Sequence, residues 1–267
     1  SSMLHANNSD WNQTAFNVLA KNFGFKTNAD AFLRLSQNIP YKIILKHNAN
    51  ILQLESLLFG QAGLLEDDFK EVYPLALKKE YKFLAAKYSI EDYKLNGSEW
   101  KFSKLRPPNF PTIRLSQLAA ILCCQPQLFN FILELDSLND LYKAFKISAS
   151  QYWDTHYVFG TESKVESKNL GKSSIDNIVI NTIVPLLVCY ARERDEPRFL
   201  DKAIQLLDSI KAEQNNIIDT WQSYGIEIKT ASDSQGSIEL YNNYCLHRKC
   251  LDCSIGYSLI NAEVCSM

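Results

Sequence analysis

Residues 50–64 read NILQLESLLFGQAGL, and the fold expectation starts here. Ile51, Leu54, Leu57 and Leu58 recur three or four residues apart, the spacing that lines one side of an α-helix. Asn50 stands where a cap is wanted, because its side-chain oxygen can accept from the free N–H groups of a first turn. Glu55 interrupts the apolar run. If buried, its carboxyl must be paired or protonated, and Arg106 and Arg114 are candidate partners. The run ends in FGQAG, which lacks the Gly-Lys-Ser/Thr ending of a phosphate loop.

The same period extends in both directions. Ser9 or Asp10 caps a predicted helix that runs to Phe23 and stops at Gly24. Thr27 or Asn28 starts one ended by Pro40, and Tyr41 to His47 is a short third. Leu77, Tyr81, Leu84, Ala85 and Tyr88 form a stripe after Asp67, with Pro74 as a helix start or a kink. Thr112 caps a helix through Leu122, Pro126 opens one through Leu135, and Ser137 to Phe145 is another. Ser173 or Ser174 caps the most hydrophobic helix, kinked at Pro185. Pro197 opens the next, Asn215 or Asn216 one closed by Gly225, and a last begins near Ser232. Residues 226–230, IEIKT, alternate and predict a short strand near Ile226. Residues 161–173 hold almost nothing to bury and read as a functional or mobile loop.

Nine glycines and eight prolines in 267 residues are about half of the roughly 12% in average usage. That disfavours collagen-like chains, Gly/Pro-rich disorder and many-stranded sandwiches. The expectation is an all-α fold, an irregular multi-helix bundle of about a dozen helices. Residues 1–267 form a single helical region, with a sub-boundary near 97–111 in the proline-rich connector.

A net charge of −2 gives no global sign of a strongly basic nucleic-acid binder. The start, SSMLHANNSDWNQ, has no charged segment followed by an apolar run, so it is no secretory signal. It lacks Met at position 1 and reads as a fragment of a longer protein. Ile178 to Ala191 is too short and interrupted for a bilayer span, so no membrane is expected. Seven cysteines, an odd number without a signal, point to a reducing cytoplasm, with thiols or metal in place of disulfides.

Two segments and one residue group carry candidate chemistry. Cys245, Cys250 and Cys253 have C-x4-C-x2-C spacing, which can aim three thiolates at one ion. Zinc is the first candidate and an iron–sulfur cluster the second. His247, Cys265 or Cys189 is the fourth ligand, and the plain alternative is three cysteines packed as small apolar residues. In Trp100 to Arg114, the cations Lys101, Lys104, Arg106 and Arg114 alternate with Trp100, Phe102 and Phe110. Cations for phosphates beside aromatics for stacking suit DNA or RNA; the plain alternative is a stiff loop with its aromatics turned inward. His156, Asp154 and Glu55 would be the centre if the chain were an enzyme, although no Ser or Cys makes a convincing nucleophile pair with His156.

Six segments together carry a family likeness: NFGFKTNADAF, LESLLFGQAGLL, KLRPPNFPTIRLSQLA, YWDTHYVFG, SIDNIVINTIVPLL and NNYCLHRKCLDCSIG. In these the chain resembles the bacterial family called domain of unknown function 2851 (DUF2851), over nearly its whole length. The resemblance implies a longer protein whose absent N-terminal domain is similar to a restriction-endonuclease-like fold, with this chain as the helical part that follows. It implies that nuclease residues lie outside this chain, and it transfers no activity. It also places Cys245, Cys250 and Cys253 on the family's cysteine motif, with Cys265 past it.

The functional expectation is a non-catalytic helical module of a larger cytoplasmic protein, supporting nucleic-acid processing and carrying a C-terminal metal site. An enzyme centred on His156, Asp154 and Glu55 is one alternative, and a protein-interaction scaffold is the other.

Overall fold

Caps and breakers set most of the helix ends in the computed structural model, which describes residues 1–262. The backbone is mainly α-helical, with fifteen helices and one small hairpin among the described residues. Two compact units divide between Phe199 and Leu200. The 97–111 connector lies inside the first.

The first unit contains α1 (Ser2–Ala6), α2 (Trp11–Phe23), α3 (Phe25–Gln37), α4 (Tyr41–His47), α5 (Ile51–Gln61) and α6 (Val72–Tyr88). After the connector come α7 (Pro111–Cys124), α8 (Leu128–Glu134) and α9 (Leu138–Ala144). The hairpin β1 (His156–Val158) and β2 (Thr161–Glu162) precedes α10 (Lys172–Ile178) and α11 (Val184–Arg194). Asp10 accepts from the Gln13 N–H at 3.0 Å and Asn50 from the Gln53 N–H at 3.3 Å, so both act as the caps their chemistry suggests.

Several starts differ from expectation: α6 begins at Val72, with Pro74 inside its first turn, and α8 begins at Leu128, two residues past Pro126. α3 begins at Phe25, with Gly24 alone separating it from α2. Gly24 is needed there, because a Cβ would lie 2.4 Å from the Asn28 carbonyl oxygen. α7 begins at Pro111, and Thr112 is no cap: its hydroxyl donates to the Tyr157 carbonyl at 2.5 Å. α10 begins at Lys172, which puts Ser173 and Ser174 inside the first turn.

At the expected kink the backbone widens into a π-turn, Val179–Ile183, just before Pro185. Proline has no N–H to offer the carbonyl four residues earlier. That carbonyl belongs to Asn181, and Asn22 of α2 supplies the missing donor from its Nδ2 at 2.7 Å. Lys172–Arg194 is long and apolar enough to cross a membrane, but half of its apolar window is buried in the protein, as in a core helix.

The core of this unit joins α2 to α3 and α5 to α6 and α7. Gly60 lets α6 approach α5: Tyr81 lies where a Cβ would stand, and its hydroxyl donates to Gln61 Oε1 at 2.8 Å. Trp153 is fully buried and stacks on Phe59 with centroids 5.4 Å apart. The 161–173 segment is tied down more than its composition suggests. Ala149 and Leu170 N–H groups bond across it to the Lys168 and Ile147 carbonyls. Lys168 is buried, its ammonium donating to the Glu166 carbonyl and lying 4.1 Å from the Tyr157 ring centroid.

The second unit holds most of α12 (Arg198–Asp208), then α13 (Asn216–Ser223), α14 (Ala231–Leu240) and α15 (Ser254–Ala262). Asn215 caps α13 and Thr230 caps α14, the latter with Asp233 bonding back to the Thr230 N–H. The strand expected near Ile226 does not form. Residues 226–230 do place Ile226 outward and Ile228 inward, but only Thr230 pairs, in a single bridge to Lys211. With no partner strand to continue the ladder, alternation alone makes no sheet.

Candidate functional site

α5 carries Glu55 into the interior, where it is 1% exposed. Neither arginine meets it. The Ser116 hydroxyl of α7 donates to Glu55 Oε1 at 2.5 Å, and the Tyr73 hydroxyl of α6 donates to Oε2 at 2.8 Å. Ser150 completes the cluster: its Oγ lies 3.0 Å from the Tyr73 hydroxyl, and its N–H donates to Ser116 Oγ at 2.9 Å. Burial pushes the Glu55 carboxyl above its ordinary value, against the opposing pull of these hydroxyls. Burial and the facing carboxylate hold the Tyr73 phenol well above its usual range.

A second cluster adjoins the first through stacked rings. Tyr152 lies 4.5 Å from Tyr73 and 4.1 Å from His156, nearly parallel to both. Its hydroxyl donates to Glu71 Oε2 and accepts from the Gly160 N–H at 3.2 Å. His156 Nε2 is 3.3 Å from Glu71 Oε1, and Nδ1 is 3.0 Å from the Tyr152 carbonyl. The Tyr152 hydrogen bond, with His156 beside it, holds the Glu71 carboxyl below the usual range. Asp154 contributes its backbone carbonyl, which accepts from the Glu166 N–H.

The two clusters border an open cleft of about 510 Å³, lined by Ile51, Leu52, Glu55, Tyr73, Ser150, Gln151 and Tyr152. Of the residues grouped from sequence, Glu55 reaches the cleft and His156 sits one ring behind it. Both oxygens of Glu55 and both nitrogens of His156 face protein groups.

The connector is held firmly at its start. Trp100 is buried, donating from Nε1 to the Ala62 carbonyl at 2.8 Å and meeting Phe32 edge-on. The Asn28 amide accepts from the Lys101 N–H and donates to the Lys101 carbonyl, both at 2.9 Å. Lys101, Lys104 and Arg106 are exposed beside the half-buried, edge-packed rings of Phe102 and Phe110. Arg114 behaves differently. It is buried, donating to Asn109, Gln117 and Ser174 with its guanidinium over the Phe25 ring. Desolvation lowers its pKa to about 10. Arg114 therefore ties the connector to α3 and α10 and offers no charge to a ligand. A cavity of about 410 Å³ beside Phe102 carries Glu66 and Asp67, so a phosphate chain would have to follow the outer side.

In the second unit, Cys245 ends a π-turn, Tyr241–Cys245, and Cys250 opens a tight turn, Cys250–Asp252. Arg248 between them takes a left-handed conformation, φ 54°. All three candidate thiols line one cavity of about 240 Å³, with Trp221, Leu240 and Leu259. Cys253 is buried there, while Cys245 and Cys250 are exposed. His247 is exposed and does not line the cavity. Cys265 lies outside the described residues, and Cys189 belongs to the first unit. Among the described residues, no three His, Cys, Asp or Glu side chains stand at metal-ligating distances.

The model of the family described as Protein of unknown function (DUF2851) matches residues 1–216. The chain belongs to that family. Comparison with curated proteins gave no match, and comparison with solved structures gave none.

The DUF2851 match covers the Glu55 cluster, the His156 cluster and the connector, and stops ahead of the cysteines. Tyr73, Glu71, Ser116, Ser150 and Tyr152 are the site residues that sequence reasoning missed. Its one usable signal was a carboxylate in an apolar helix, which demands partners without naming them.

Proposed function

We propose that this DUF2851 chain is a non-catalytic helical module of a larger cytoplasmic protein, one that holds DNA or RNA for a processing domain elsewhere in that protein. The observation that carries the reading is the exposed set Lys101, Lys104 and Arg106, which makes no ion pair among the described residues. Its backbone is anchored by Trp100 and Asn28, so little ordering is needed when phosphates arrive. The catalytic alternative is weaker, because both Glu55 oxygens accept from protein hydroxyls and His156 is buried behind the Tyr152 ring, away from the cleft. Fluorescence anisotropy with labelled single-stranded DNA and RNA tests the reading. Binding should weaken steeply with salt, and replacing Lys101, Lys104 and Arg106 by alanine should reduce it. No binding at low salt removes the reading.

A structural metal, zinc before an iron–sulfur cluster, is the second part of the proposal. Its support is the shared cavity of Cys245, Cys250 and Cys253. Zinc suits a thiolate-rich set, and an ion there would draw the two exposed thiols inward. His247 is the nearest fourth ligand in sequence.

A further inference from the structure

α6 is buried along one side only. Pro74, Leu77, Tyr81, Leu84 and Ala85 face the core. The opposite side carries Val72, Leu75, Lys79, Lys82, Phe83 and Ala86, all exposed. Val72, Leu75, Lys79, Lys82 and Ala86 advance by three and four residues, the repeat of a helix–helix seam, with Phe83 beside Lys82, over about 22 Å at ~1.5 Å per residue. Val72 is 84% exposed and Phe83 60%. Such large apolar side chains on one stripe are not single accidents of a surface.

The stripe is also charged with one sign over its second half. Lys79, Lys82 and Lys87 make no ion pair among the described residues. Lys87 lies over the Phe83 and Tyr88 rings, and Lys46 of α4 joins it over Tyr88. Near its first half the pattern is mixed. A groove of about 500 Å³ runs beside Leu75 and Lys79, with Asp67 and Asp68 on its far wall and Lys78 and Lys82 on its near one. Glu80, one residue round from Lys79, is occupied by the Gln53 amide at 2.8 Å.

We infer that this face of α6 docks an amphipathic, acidic α-helix of a partner polypeptide. Its apolar seam lies on Val72, Leu75 and Phe83, and its carboxylates meet Lys79, Lys82, Lys87 and Lys46. A phosphate backbone would satisfy the lysines and leave Val72 and Leu75 in water. A lipid surface would have to accept Lys79 between Leu75 and Phe83 on the same stripe. A helix satisfies both features, and its acidic end belongs over the purely basic half. The inference is independent of the nucleic-acid reading, which uses the connector.

The test uses the full chain and a fluorescein-labelled heptad peptide with leucine at the seam and glutamate beside it. The expected result is salt-sensitive binding, weakened about tenfold by Phe83→Ser and by Lys82→Glu, and unchanged by Lys104→Ala. A scrambled peptide of equal composition should bind at least tenfold more weakly. Both α6 positions are exposed, and an unchanged thermal midpoint confirms that each variant folds; Lys79→Glu serves if one does not. No peptide binding, equal binding of the scrambled peptide, or indifference to the α6 variants overturns the inference. So does preference of this face for duplex DNA, or for vesicles of phosphatidylcholine with phosphatidylserine.

Discussion

Ser116 Oγ donates to Glu55 Oε1 at 2.5 Å while accepting from the Ser150 N–H at 2.9 Å. One hydroxyl thereby joins α5, α7 and the turn at residue 150. Ser116 is 1% exposed, so water cannot replace it without rearrangement. Ser116→Ala should destabilise the first unit by about 2–3 kcal/mol, because it strands a carboxyl oxygen and an N–H together. Urea denaturation of the two proteins side by side measures this; a loss under half a kilocalorie would mean the cluster reorganises freely.

The same carboxyl predicts a pH dependence. Burial raises the Glu55 pKa in the folded state above its ordinary value of 4.5. Between the unfolded and folded values, the native protein binds the extra proton. Stability contributed by this group is therefore full below about 4.5 and is lost as pH rises through the folded value. Glu55→Gln removes the titration and should flatten that part of the curve. Denaturation midpoints across this window, taken on both proteins, give the comparison, and parallel curves would count against a titrating Glu55.

Gly60 predicts a purely steric effect. A Cβ there would stand 2.1 Å from the Tyr81 ring, which is pinned by its hydroxyl bond to Gln61. Gly60→Ala gains helix propensity on α5 but must push α6 away, with a net loss of about 1–3 kcal/mol. Pairing it with Tyr81→Ala should recover part of that loss, because the space is then vacant. A double-mutant cycle by thermal denaturation reads the coupling directly.

How much of this was legible depended on whether the cause was local. Asp10, Asn50 and Asn215 cap helices within three residues, and Pro185 disturbs a helix through one carbonyl. Those effects lie within a single turn, and the sequence shows them. The Asn22 donor to Asn181 lies 159 residues away, and Ser116 lies 61 residues from Glu55. No local pattern ties such pairs together. Arg114 shows the opposite hazard: a cation in a basic segment reads as surface, yet its position on α7 turns it toward Asn109 and Ser174. The 161–173 segment, whose composition shows almost nothing to bury, buries Lys168, since an aromatic face and two carbonyls can take in an ammonium with no carboxylate.

Cys253 gives the last prediction, because it is the one buried thiol among the three that share the cavity. If an ion occupies this place, protein purified without chelator should carry about one zinc or iron per chain by elemental analysis. Cys253→Ser should abolish it. Cys245→Ser should lower the content and raise sensitivity to chelator, since an exposed ligand contributes without forming the interior of the site. His247→Ala separates the fourth-ligand question: unchanged metal content excludes that imidazole and directs the search to Cys265. The first unit should keep its unfolding transition throughout, because none of these residues belongs to it. Absence of both metals by elemental analysis and absorption would leave three thiols packed as small apolar side chains, and Cys253→Ala would then cost little stability.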